Sequence, residues 1–248
     1  MKLISLNIEG SKHLDRVIPF IEREQPDVLC LQELPYADIP LFAQHGYTGT
    51  YLPMARENIN NPHACMGIAL FSKTPLQNVR TFYYPKSYPE IPVFNRADIA
   101  NSVAHGVIFA EIVYGTSTFT IGTTHFTWTP YGKNPCTTQI SHMESFLACV
   151  AREESHLICG DFNVPRNINP LYQKLLTQYT DTVPTVYSSS LDKSLHRHGT
   201  NPEKSIMFES FMVDYVFTQL PYIASNVRLE FGLSDHAAVV ATISKTNS

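Results

Sequence analysis

Short apolar runs of strand length recur along this chain, and most of them stop at a residue able to handle a metal ion or a phosphate. KLISLNI (2–8) reaches Asn7 with Glu9 just beyond, and DVLCLQE (27–33) stops at Gln32 and Glu33. FTIGTTHF carries His125 at its end, and the run at 156–161 in HLICGDFNVP stops at Asp161, with Asn163 following. VDYVFTQ (213–219) carries Asp214 near its start, while Asp235 and His236 stand at the head of HAAVVATIS (236–244). Strands are also expected at 47–52, 66–72, 76–84, 104–114, 117–124 and 226–231, because each run is apolar or alternating and bounded by turn formers.

Helical periodicity is scarcer. Leu14, Val17, Ile18 and Ile21 form an apolar stripe over 13–24, stopped by Pro26. Cys136, Ile140, Met143, Leu147 and Val150 step through 136–151, and a third helix is expected near 170–178. Ser188–Lys204 is polar and reads as a long surface loop. Many strands and few intervening helices predict an α/β (α+β) chain with sheet packed on sheet and helices outside, rather than an alternating barrel. No repeat or linker-like shift divides the sequence, so residues 1–248 are expected to form one domain.

A net charge of −4 with 16% charged residues argues against broad adhesion to nucleic acid or an acidic membrane surface, and leaves room for a local basic groove. MKLISLNIEG meets Asn7 and Glu9 too soon for a secretory signal, and no run approaches the roughly 18 apolar residues of a membrane span. Cys30, Cys65, Cys136, Cys149 and Cys159 are odd in number and lack a C-x-x-C spacing. They read as free thiols of a reducing compartment, so a cytoplasmic location is expected.

Each polar strand end, taken alone, reads as a cap or a turn. Together they raise an electrostatic question. If Glu33, Asp161, Asp214 and Asp235 converge, each like-charged pair at about 5 Å costs roughly 3 kcal/mol at an effective dielectric near 20. Cations or histidines must then offset the repulsion. Oxygen ligands with few nitrogens and no thiolate spacing favour Mg²⁺ or Mn²⁺ over Zn²⁺.

LNIEG (6–10), LQE (31–33), TTHF (123–126), GDFN (160–163), VDYVF (213–217) and SDH (234–236) occur in an order that resembles the endonuclease/exonuclease/phosphatase superfamily, the deoxyribonuclease-I-like phosphohydrolases. The resemblance runs from the first strand to the last. It implies a four-layered α/β sandwich, two packed mixed β-sheets flanked by helices. It also implies a Mg²⁺-dependent hydrolase, with Mn²⁺ able to substitute, acting on a phosphate ester such as DNA or a nucleotide. By that resemblance Glu33 is the principal metal ligand, assisted by Asn7 and Asp235, with Glu9 as a further candidate. Asp161 aligns or deprotonates the attacking water and Asn163 steadies water and phosphate. His236 contacts the phosphate and is oriented by Asp214, while His125 is the second phosphate contact.

Two positions depart from the pattern: Cys136 and Met212 stand where many relatives carry arginine. Arg166 is the best-placed substitute for substrate binding, ahead of Lys12, Arg96, Lys133 and Arg197. Trp128 and Tyr131 are candidates to stack on a base or to pack a loop. LNIEG is similar to the opening of the tyrosyl-DNA phosphodiesterase branch, which favours a phosphodiesterase or nuclease of the DNA-end type acting as a monomer. The alternatives are a phosphatase on a small-molecule, inositol or lipid phosphate, a catalytically silent binding module, and a Zn²⁺ hydrolase using His125, His196 and His198.

Overall fold

Two strand–helix–strand units form the frame, one at the centre of each sheet. The structure, a computed structural model, describes residues 1–58, 61, 64–85, 88–130 and 132–246. In the first unit β1 (Lys2–Asn7) and β2 (Val28–Pro35) run parallel, joined by α1 (Leu14–Glu24). In the second, β7 (Ser117–His125) and β8 (Leu157–Asp161) run parallel, joined by α4 (Thr137–Val150). The intervening elements are α2 (Ile39–Gln44), β3 (Thr48–Arg56), β4 (Cys65–Ser72), β5 (Gln77–Tyr83), α3 (Ile99–Ser102) and β6 (Gly106–Tyr114). The chain continues through α5 (Leu171–Leu176), β9 (Thr180–Asp181), α6 (Ser205–Ser210), β10 (Asp214–Thr218), β11 (Tyr222–Glu230) and β12 (Ala238–Lys245).

Two mixed sheets of six strands result, ordered β11-β12-β1-β2-β4-β3 and β5-β6-β7-β8-β10-β9. The two-residue period of a strand sorts their side chains. Leu3, Val28, Cys30, Ile68 and Leu70 face the large core that also holds Phe109, Ile121 and Ile158 of the second sheet. Their neighbours Ile4, Leu6, Leu29, Leu31 and Phe71 instead join Val17, Phe20 and Ile21 of α1 and Phe42 of α2. On the far side Met143, Phe146 and Val150 of α4 and Leu171 and Leu175 of α5 complete the core. Helices, sheet, sheet and helices follow one another, the sandwich expected above.

Three expectations need correction. The exposed Ile140 leaves the predicted stripe of α4, whose buried face carries Gln139, His142, Met143, Phe146, Cys149 and Val150. Two polar residues displace it because their hydrogen bonds serve the loop after β7, as described below. The last expected strand of the 226–231 region begins earlier, at Tyr222, since a bulge between Ser225 and Arg228, with Asn226 at φ 51°, interrupts its periodicity. The 188–204 segment is a loop, but Ser189, Ser190, Leu191 and Asp192 are buried, so its opening lies inside the molecule.

Candidate active site

Strand direction explains why distant residues meet. The parallel pairs place Asn7 beside Gln32 in the first sheet and His125 beside Asp161 in the second. β10 runs antiparallel to β8 with Asp214 paired to Asp161, so its first residue reaches the same end. β12 runs antiparallel to β1, with Ser5 opposite Val239, which carries the preceding Asp235 and His236 to the end where Asn7 stands. The carboxyl ends of parallel strands are the usual place for a ligand in α/β sheets. Beneath them the polar Gln32 Nε2 bridges the sheets to Thr123 Oγ1 at 3.1 Å.

Asp161 is the hub. It is 1% exposed, and its Oδ2 accepts from Asn7 Nδ2 at 3.2 Å while facing His125 Nε2 at 3.4 Å and His236 Nε2 at 3.8 Å. Its Oδ1 accepts the backbone N–H of Asn163 at 2.9 Å. Gly160 makes that position reachable: a Cβ there would lie 1.9 Å from the Thr124 carbonyl oxygen, and its φ of +143° disfavours any other residue. The next residue, Phe162, anchors the turn by packing edge-on against Phe217, with ring centroids 5.0 Å apart.

His236 donates from Nδ1 to Asp214 Oδ2 at 2.8 Å. Burial works against a charge on His236, yet the carboxylates of Asp214 and Asp161 overcome it and hold its pKa well above the usual histidine value. Ser190 fixes the aspartate: its hydroxyl donates to Asp214 Oδ2 at 2.6 Å and accepts the backbone N–H groups of Val213 and Asp214, each at 3.1 Å. Nothing in a polar, serine-rich stretch distinguished Ser190 from its neighbours, so sequence reasoning missed it. His125 is held from behind, where His105 Nδ1 donates to its carbonyl oxygen at 3.2 Å. His105 is 3% exposed with Nε2 unpartnered, and burial followed by the nearby His125 pushes its pKa down to about 3.

The loops that carry His125 and Asn163 are clamped together from α4. Gln139 Nε2 donates to the carbonyls of Thr127 at 2.8 Å and Asn163 at 3.4 Å, and His142 Nδ1 meets Thr127 Oγ1 at 2.7 Å. Cys136, at the departure from the family pattern, caps this helix by accepting the Gln139 N–H on sulfur. The Asn163 side chain donates to the Phe126 carbonyl at 3.0 Å, so its observed hydrogen bonds steady the loop and Asp161.

The first sheet contributes a different set. Asn7 Nδ2 also donates to Glu33 Oε1 at 3.2 Å, tying Glu33 to Asp161. Glu33 sits in the irregularity between Leu31 and Leu34 at φ 54°, and Glu9 and Asn163 both have φ 50°. Left-handed backbone at non-glycine residues is costly and clusters at functional sites. Burial pushes the pKa of Asp235 up to about 6, with the carboxylates of Glu9 and Glu33 adding to it. Glu9 is engaged by Lys12 and by His13 Nε2, the latter at 3.1 Å.

A divalent cation fits this crowded half better than the other. Asp161, Asp214 and His236 offer ligand atoms within 4.8 Å of one another, but a charged His236 already offsets one of the two carboxylate charges there. Glu33 and Asp235 offer hard oxygen donors whose mutual repulsion a cation relieves. Arg166 is a correction. Its guanidinium, 8% exposed, pairs with Asp181 Oδ2 at 2.7 Å and donates to the carbonyls of Val183, Pro184 and Tyr187, which leaves it a structural role rather than a substrate contact. Met212 is fully buried in the core, Trp128 is half-buried, and Tyr131 lies outside the described residues. All five cysteines are free, and no helix among the described residues is long and apolar enough to cross a membrane.

Comparison with known proteins agrees with this architecture. No curated protein matches the chain by sequence. The catalytic domain of human nocturnin, solved with a bound sulfate anion, superposes with a TM-score of 0.68 at 17% identity, covering 99% of this chain and 93% of that one. An endonuclease/exonuclease/phosphatase from Bacteroides vulgatus gives 0.72 at 15% identity, covering 99% and 98%. TDP2 of D. rerio, complexed with a single-strand DNA product, gives 0.68 at 14% identity, covering 99% of each chain. At these identities the likeness is one of fold. The sequence description of the Endonuclease/Exonuclease/phosphatase family, however, matches residues 4–236, and the chain belongs to that family of phosphoester hydrolases.

Proposed function

We propose that this protein is a Mg²⁺-dependent phosphodiesterase that hydrolyses a phosphodiester by in-line attack of water. The observation that carries the reading is the convergence on one buried carboxylate oxygen, Asp161 Oδ2, of Asn7 from one sheet and His125 and His236 from beside it. Asp161 accepts the proton of the attacking water, in the orientation fixed by the Asn163 N–H. His236, charged and held by Asp214, contacts a phosphoryl oxygen. His125 supports the phosphate or the leaving oxygen. Glu33, Asp235 and Asn7 would hold Mg²⁺, with Glu9, engaged here by Lys12 and His13, as a further candidate. Bound there, the ion would supply positive charge for the phosphoryl and leaving oxygens.

The D. rerio TDP2 structure contains a DNA product, which makes a DNA or nucleotide diester the first substrate to try. The test is hydrolysis of bis-p-nitrophenyl phosphate against the mono-ester, each with Mg²⁺, Mn²⁺, Zn²⁺ or EDTA. Preferential turnover of the diester with Mg²⁺ or Mn²⁺, abolished by EDTA, is expected. Turnover that survives EDTA, or a preference for the mono-ester, overturns the reading.

A further inference from the structure

The 188–204 loop is sewn to the site. Ala237 N–H donates to the Ser190 carbonyl at 2.7 Å, and Asp192 N–H donates to the Asp235 carbonyl at 2.8 Å. Asp192 Oδ2 accepts from Gly232 N–H at 2.6 Å. The chain then turns back, His196 N–H bonding the Asp192 carbonyl at 2.9 Å, and closes so tightly that a Cβ at Gly199 would lie 1.8 Å from the Lys193 carbonyl oxygen. Within this turn His196 Nδ1 accepts the His198 N–H at 3.0 Å, so the neutral ring presents Nε2–H as a donor, and Phe208 packs edge-on against it at 5.2 Å.

This loop gathers positive charge. Among the described residues Arg96, Lys133, Arg152, Lys193, Arg197 and Lys204 have no carboxylate or carbonyl partner for their side chains, whereas the other described lysines and arginines do. Lys193, Arg197 and Lys204 belong to the loop itself. The pKa of His198 is lowered by burial and by the charges of Arg197, Lys204 and Arg96. That of His196 is pushed down to about 4 by burial and by His236, His198 and Arg197; its ring lies 5.5 Å from that of His198, and an isolated antiparallel bridge pairs Leu191 of the loop with His236. In a chain of net charge −4, unpaired cations collected at one edge of a phosphoester site point to a further anion there. Cys136 caps a helix and Met212 is buried, so neither supplies that charge.

We propose that the 188–204 loop, with Arg96 beside it, forms a subsite for a second phosphate of the substrate, adjacent to the one that is cleaved. The inference rests on the phosphodiesterase reading and narrows it to substrates carrying two or more phosphates. Guanidinium, ammonium and imidazole N–H groups share this chemistry, whether the second phosphate belongs to a nucleic acid strand or to a small polyphosphorylated molecule.

The experiment compares kcat/KM for thymidine 5′-(p-nitrophenyl phosphate) with that for the same ester bearing a 3′-phosphate. The wild type is expected to favour the doubly phosphorylated ester by about tenfold or more, the scale of one or two charge-assisted hydrogen bonds. Arg197→Ala/Lys204→Ala removes most of that preference, while Arg152→Ala, which deletes an unpaired cation outside the loop just past α4, retains it. Absence of the preference in the wild type, or its persistence in the double variant, overturns the proposal. Should the wild type cleave neither ester with any metal, the phosphodiesterase reading fails by itself. The subsite is then decided by titration calorimetry in EDTA with thymidine 3′,5′-bisphosphate against thymidine 5′-monophosphate. Tighter binding of the bisphosphate, lost in the double variant, supports the subsite, and equal binding overturns it. Competition by an inositol bisphosphate as strong as by the nucleotide supports it with a small polyphosphate as the source; weaker competition supports it with a nucleotide.

Discussion

The ends of β1 and β2 and the turn before β12 bring Glu33 and Asp235 together with Glu9 nearby, whereas the ends of β7, β8 and β10 bring His125, Asp161 and Asp214, joined by His236. On the second side each carboxylate has an imidazole or a hydroxyl against it, and a charged His236 offsets one of the two charges, while burial and Asp161 still hold the Asp214 pKa above the usual value. On the first side Asp235 faces Glu9 and Glu33, and burial with these carboxylates pushes its pKa up to about 6 against the opposing charge of His236. One half therefore carries a histidine cation hydrogen-bonded to its carboxylate as folded, while in the other Glu33 and Asp235 have no ion-paired partner among the described residues. Asn7, donating to Glu33 and to Asp161 from one nitrogen, joins the two halves.

The most severe test of that division is Asp161→Asn, which removes the proton acceptor from the histidine half without changing its shape. A loss of about 10³–10⁴-fold in kcat is expected, with the thermal midpoint unchanged or raised. His236→Ala is expected to act as strongly. Turnover close to wild type in either variant would break the assignment of roles.

Ser190→Ala tests whether that half depends on the buried loop. It takes the donor from Asp214 Oδ2 and leaves the buried N–H groups of Val213 and Asp214 without their acceptor, at a cost of about 2 kcal/mol measured by urea unfolding. The expected kinetic signature is a fall in kcat with KM little changed, restored by Ser190→Thr. An unchanged kcat would make Ser190 purely structural.

Most of this was legible in the sequence, for a physical reason. Apolar runs must be buried and each breaks where polar residues begin, so the strand ends could be read from composition along the chain. What escaped depended on long-range partners. Arg166 looked free beside GDFN, yet Asp181 and three carbonyls capture it. Ser190 sat in a stretch that reads as loop, and Ile140 looked more buriable than Gln139 until the Thr127 carbonyl claimed the amide. The division into a histidine half and a carboxylate half also escaped, because it depends on which carboxylate faces which imidazole.

Within the histidine half, two histidines are held in opposite states, and pH separates them. His105 is neutral when folded, its pKa pushed down to about 3, against an ordinary value of 6.5. Below 6.5 the unfolded chain binds a proton that the native chain refuses. The stability His105 contributes is thus whole above that pH and is lost as pH falls toward 3. The slope expected from this group is up to about 1.4 kcal/mol per pH unit. His105→Asn keeps a donor near the His125 carbonyl and should flatten the stability profile between pH 6 and 4. An equal slope in both proteins would remove His105 from the account.

The smallest effect reports on the carboxylate half directly. In EDTA, Asp235→Asn deletes a charge that faces Glu9 and Glu33, and Glu33→Gln deletes one of its neighbours. Removing either is expected to stabilise the metal-free protein by about 1 kcal/mol, the worth of somewhat less than one pKa unit. For a chain of this size that corresponds to a rise of about 2–4 °C in the unfolding midpoint. Mg²⁺ should reverse the order: the wild type gains stability with concentration because the ion binds the folded state, and the two variants gain little. Asp214→Asn makes the contrast, since it takes the ionic acceptor from His236 Nδ1 and the Ser190 hydroxyl, so it should lower the midpoint in EDTA. If all three substitutions moved the midpoint the same way, the two halves would not differ in charge balance, and the cation would lose its place in the first.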